Sequence, residues 1–138
     1  MILKRQQNLQ ERWLLVIGCG EEPLVGNWER FGDDAEGTIV QVEKVGKTHH
    51  SKLLKVSGIL KELGFAERDI KWRDIERVRP NKWKGKDLIK IVDASGKIAS
   101  VEYKDVYFTL LPDGTLEVRK FAKEEEIVGT VQKWRRIQ

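Results

Sequence analysis

From Glu36 to the C-terminus, apolar and polar positions alternate through short runs rich in β-branched and aromatic residues, and each run ends at a turn residue. Alternation with period two places one face of a strand against a core and the other against water. Glu36–Val45 reads as a strand up to a turn at Gly46, with Thr48–Val56 as its partner. Asp69–Arg73 and Ile75–Val78 form the next extended region, which Pro80-Asn81 turns. Asn81–Asp93 then runs to Ala94-Ser95-Gly96, a hairpin signal, and Lys97–Tyr103 returns from it. Val106–Leu111 and Thr115–Phe121 flank Pro112-Asp113-Gly114, where proline presets a negative φ and glycine accepts the positive φ that ends the turn. After the acidic stretch Lys123–Glu126, Gly129–Ile137 closes the chain. One stretch breaks the pattern: Ile59–Leu63 carries apolar residues at helical spacing and ends in Gly64, the signal of a short helix with a glycine cap. The pattern predicts an all-β fold, an antiparallel up-and-down barrel of about eight strands with one short helical insertion, in which closure removes exposed strand edges.

The length of 138 residues fits one domain, and 40% apolar with 35% charged residues describes a packed core under a heavily charged surface. A single cysteine forms no internal disulfide, and no apolar run approaches the roughly 20 residues of a membrane-spanning helix. The net charge is +4, but residues 1–18 carry Lys4, Arg5 and Arg12 against Glu11, so only +2 remains for the rest. That excess is small for a general nucleic-acid footprint and argues against a nucleic-acid partner.

The N-terminal region changes character twice. Met1–Arg12 is basic and polar, Trp13–Gly18 is apolar, and Gly18 immediately precedes Cys19, which is the order of a bacterial export signal. Val16-Ile17-Gly18-Cys19 resembles the lipobox of bacterial lipoproteins. The resemblance implies a diacylglycerol on the Cys19 thiol, cleavage of the bond before it, and a membrane partner reached through a lipid anchor. Residues 1–18 would then be a lipoprotein signal peptide, residues 19–23 a tether, and residues 24–138 the barrel domain, located in the cell envelope. The alternative is that Arg12–Gly18 is a buried first strand of a cytoplasmic protein.

Pro23-Leu24-Val25-Gly26-Asn27-Trp28-Glu29 resembles the Gly-x-Trp entry motif of lipocalin-like, or calycin, barrels. Lys133-Trp134-Arg135-Arg136 occupies the last run, where such barrels place a basic residue across that tryptophan. The resemblance implies that Trp28 plugs the closed end, that Gly26 lets the backbone approach its neighbour, and that Arg135 or Arg136 covers the indole by a cation–π contact. It also implies a small apolar or amphipathic ligand at an open mouth, with Trp72, Trp83 and Tyr103 as the expected lining. The helical stretch at Ile59–Gly64 stands where the family has an early hairpin.

Other constellations carry less chemistry. His49-His50 is the only histidine pair, but adjacent strand residues point to opposite faces and no further ligand spacing supports a metal, so the pair reads as part of a solvated strand. Asp33-Asp34-Ala35-Glu36 and Glu124-Glu125-Glu126 read as solvated loops without the ligand pattern of a calcium site. Lys71-Trp72-Arg73, Lys82-Trp83-Lys84 and Lys133-Trp134-Arg135 interleave cations with aromatics, as single-strand nucleic-acid platforms do. Strand alternation explains them equally, with each tryptophan inward and its basic neighbours outward. The competing function is thus a nucleic-acid or protein interaction module using Arg73, Lys84, Arg135 and Arg136. No nucleophile–base arrangement marks an enzyme, and no cofactor is implied.

Overall fold

Eight antiparallel strands follow one another around a closed barrel, each paired with its sequence neighbours and the last with the first. The computed structural model describes residues 22–123 and 126–137; Cys19 and the stretch before it, on which the expected signal peptide and lipid attachment fall, lie outside the described residues. The strands are β1 (Gly26–Phe31), β2 (Ile39–Val45), β3 (Thr48–Lys55), β4 (Ile70–Arg79), β5 (Lys82–Val92), β6 (Ile98–Leu110), β7 (Leu116–Lys123) and β8 (Glu126–Ile137), with one helical turn, α1 (Ile59–Glu62), between β3 and β4. This is the all-β up-and-down barrel with one short helix that the alternation predicts.

The tight turns sit where backbone chemistry places them. Asn81 between β4 and β5 and Gly114 between β6 and β7 both have positive φ, 63° and 92°, which asparagine and glycine tolerate better than other residues. Two departures concern strand length. Lys97–Tyr103 and Val106–Leu111, separate in the sequence pattern, merge into the 13-residue β6 because β5 pairs along it from Lys82 to Val92. Asp69–Arg73 and Ile75–Val78 likewise join into β4, and Asp74 at φ 54° marks the irregularity between them.

Inward positions recur with period two: Val40 and Val42, Ser51 and Leu53, Val106 and Phe108, Leu116 and Val118 are all buried. Trp28, Trp72, Trp83 and Trp134 fill the interior with at most 1% of each exposed. Small barrels are packed by side chains in this way rather than left hollow.

The two ends differ. At the end where β1 begins, the segment before it folds over the opening: Leu24 enters the core, and the Trp28 Nε1–H donates to the Leu24 carbonyl at 3.0 Å. Glu22 fixes the same segment through Lys44 at 3.1 Å and His49 Nε2 at 3.0 Å. His49 is therefore buried rather than solvated, whereas His50 on the opposite face stays partly exposed beside Glu43. At the other end, where β1 finishes and β4 starts, α1 and the loop after β1 lie over the mouth, joined by the Ile59 N–H to the Asp34 carbonyl at 2.9 Å.

Candidate binding site at the barrel mouth

The register between β3 and β4 creates the central feature of the mouth. Ser51 opposes Trp72 and Lys52 opposes Ile70, so Lys71 is an extra residue with no partner of its own. Such a bulge re-aims a side chain, and here both Lys71 and Trp72 are buried, Lys71 with 3% exposed. The alternation that places Lys71 outward beside an inward Trp72 is thus overturned by one inserted residue. Arg73, Lys84, Lys133 and Arg135 remain exposed, as alternation places them.

Lys71 Nζ forms an ion pair with Asp87 Oδ1 and donates to the Leu88 carbonyl at 2.9 Å. Gln132 Nε2 donates to the second oxygen, Asp87 Oδ2, at 3.3 Å, and Trp134 Nε1 donates to Gln132 Oε1 at 3.3 Å. Lysine, carboxylate, amide and indole form one relay between β4, β5 and β8. Burial pushes the Lys71 ammonium below its ordinary value, Asp87 opposes that shift, and the nearby Arg30 and Lys120 charges add to it.

Arg30 lies beside this relay with 8% exposed. Its Nε and Nη2 both donate to Asp33 Oδ2, at 2.9 and 2.7 Å, and its guanidinium lies 5.6 Å from the Trp134 ring centre. Leu60 and Leu63 from the α1 region, with Phe65 after it, supply an apolar rim, and Lys90 Nζ crosses that rim to the Gly64 carbonyl at 2.8 Å. Together they line a recess of about 130 Å³. A drug-sized pocket holds about 300–1,000 Å³, so this volume suits a small group or the head of a longer molecule.

The residues that the sequence singles out lie elsewhere. Trp72 stacks edge-on against Phe108 and Trp134, ring centres 5.0 Å away in each case, and is fully buried. Trp83 is 1% exposed with Arg77 across its ring at 5.2 Å. Tyr103 occupies the opposite face of β6 from Val106 and Phe108; its hydroxyl donates to the Ile70 carbonyl at 2.8 Å and Arg73 covers its ring at 4.0 Å. None of the three lines the mouth recess. Arg136 lies 4.3 Å above the Trp28 ring and donates to the Pro23 and Val25 carbonyls, while Arg135 pairs with Glu29 at 3.2 Å and lies over Phe31. Gly26, at φ 132°, sits where a Cβ would come within 2.5 Å of Arg136 Nη1.

Arg30, Asp87, Gln132 and Lys120 escape a search for motifs, but a signal for them exists. Arg30 follows Trp28 by two, Asp87 follows Trp83 by four, Gln132 precedes Trp134 by two and Lys120 follows Val118 by two. Each therefore shares the inward parity of a core residue, and a polar residue at an inward position marks a break in the apolar interior.

Comparison with family models, curated proteins and solved structures yields no significant match for this chain. Fold and site together define an antiparallel eight-stranded meander barrel with a tryptophan-filled interior and a cationic recess at one mouth. Its architecture is compatible with a lipocalin-like fold.

Proposed function

We propose that this chain is an exported, lipid-anchored barrel of lipocalin-like type, without catalytic activity, that binds a small amphipathic molecule at the α1 end. The observation that carries the binding reading is the mouth recess, where Leu60, Leu63 and Phe65 face a cluster of cations. Apolar walls with a few convergent polar groups are the general composition of ligand sites. The tryptophan interior is too full to serve, which moves the site from the expected Trp72 and Trp83 to the rim.

The anchor reading rests on Val16-Ile17-Gly18-Cys19 and gains a geometric consequence from the fold. Glu22, three residues after Cys19, is held at the end opposite the mouth by Lys44 and His49. Three residues reach about 10 Å at most. A lipid on Cys19 would hold the plugged end toward the bilayer and turn the recess away from it. The strand circle is also complete from β1 to β8 among the described residues, which favours a leader over an added strand for Arg12–Gly18.

Two measurements test the reading. Full-length chain expressed in a bacterium with labelled palmitate should give a labelled membrane product, lost in Cys19→Ala; a soluble, unlabelled product beginning at Met1 refutes the anchor. N-phenyl-1-naphthylamine, an uncharged apolar dye, should brighten on mixing with the protein, and less so with Leu63→Glu. No change with the wild type refutes the ligand site. The interaction-module alternative is disfavoured by burial of Trp72, Trp83 and Trp134, which present no face for a base to stack on, while the exposed Arg135 and Arg136 are already paired with Glu29 and the Val25 carbonyl.

A further inference from the structure

We infer that the mouth recess is an oxyanion site, taking the carboxylate or phosphate head of its ligand on Lys120 and Arg30 beside the Lys71–Asp87 pair. The inference rests on the amphiphile reading above and assigns that ligand its charge. Four cations line the recess, Arg30, Lys71, Lys90 and Lys120, against one carboxylate, Asp87. Asp87 is spent: one oxygen takes Lys71 and the other takes Gln132. Arg30 is balanced by Asp33 from the adjoining loop.

Lys90 and Lys120 have no carboxylate partner among the described residues, yet they differ in freedom. Lys90 is fixed to the Gly64 carbonyl and lies 4.7 Å from the Phe65 ring. Lys120 shares the inward parity of Leu116 and Val118 on β7, is half-buried, and reaches the recess without a hydrogen bond or ion pair to any described residue. A half-buried ammonium facing a partly desolvated recess that already holds an arginine is relieved by a bound anion, because attraction strengthens as water is excluded. With Nε and Nη2 held by Asp33, Arg30 offers an oxyanion its remaining Nη1 donors, and Lys120 supplies a mobile point charge. The ligand's apolar part would leave along Leu60, Leu63 and Phe65.

The test is isothermal titration of the full-length protein with four probes: octanoate, octyl phosphate, uncharged octanol and inorganic phosphate. Either anionic amphiphile should bind about tenfold tighter than octanol, and Lys120→Met should weaken that anion about fivefold to tenfold while leaving octanol unchanged. Lys47→Met, which removes an equal charge from the turn at the opposite end, should leave all four unchanged. Preference between octanoate and octyl phosphate tells carboxylate from phosphate, and inorganic phosphate binding as tightly as octyl phosphate shows a headgroup site alone. Octanol binding as tightly as both anions overturns the oxyanion site and leaves the amphiphile reading standing; no binding by any probe overturns both. Equal losses for Lys120→Met and Lys47→Met would also overturn it, since the effect would then be net charge.

Discussion

Replacing Lys71 with methionine keeps the length of the side chain and removes its charge from a site with 3% exposure. Asp87, 1% exposed, would keep Gln132 at 3.3 Å as its side-chain partner. Breaking one half of a buried ion pair costs about 3–5 kcal/mol, because the other charge stays buried without compensation. An independent ceiling agrees. The stranded group can escape by taking up a proton, and neutralising an ordinary carboxylate at pH 7 costs about 1.36 kcal/mol per unit over about three units, or about 4 kcal/mol. A domain of this size is about 5–15 kcal/mol stable, so the variant should unfold at clearly lower denaturant. A carboxylate stranded in the folded variant holds its proton more tightly than when unfolded, so the variant recovers relative stability as pH falls, and its deficit against wild type should shrink between pH 7 and pH 5. Urea titrations at both pH values measure this, together with the double variant Lys71→Met/Asp87→Leu, which should return to within about 2 kcal/mol of wild type. A single-variant cost below about 1 kcal/mol would show that the pair is not needed, and a deficit independent of pH would show that Asp87 is not left as a stranded buried charge.

Trp28→Ala should cost about 3–5 kcal/mol, the range for deleting a large buried aromatic, and a melting temperature near wild type would remove its role as the plug of the closed end. Gly85→Ala puts a Cβ 2.9 Å from Ile75 Cγ1 and 3.1 Å from Phe108 Cε1, so overpacking should cost about 1–3 kcal/mol in a denaturant titration; a neutral result would mean that β4 and β5 can part there. Lys44, chiefly, and His49 hold the Glu22 carboxyl below its ordinary value of 4.5 against the opposing effect of desolvation. The stability that Glu22 contributes is thus present above about that pH and lost as pH falls through the lower folded value. Glu22 and Lys44 side chains are 35% and 53% exposed, so Glu22→Gln should cost under about 1 kcal/mol at pH 7 and progressively less as pH falls below 4.5; a cost that persists undiminished in acid would refute the ionic account.

The sequence by itself determined what depends on neighbouring residues. Strand alternation, the turns at Gly46, Asn81, Gly96 and Gly114, and the single helical turn at Ile59–Glu62 follow from local dihedral preferences and from which side chains can face a core. They suffice for an up-and-down barrel, because strands joined by short turns pair with their neighbours. What only the tertiary structure decided depends on register between strands. The bulge that turns Lys71 inward exists because Ser51 and Lys52 oppose three residues of β4, a mismatch written in neither strand alone. Asp87, Gln132 and Lys71 come from three strands and meet only after the barrel closes. Trp72 and Trp83, prominent along the chain as ligand candidates, become packing: Phe108 and Trp134 close edge-on around Trp72, and Trp83 lies beside Phe108 across the β5–β6 pairing. A side chain's face is a property of its own strand, but its neighbours are set by the pairing of all eight, and a binding site is made of neighbours.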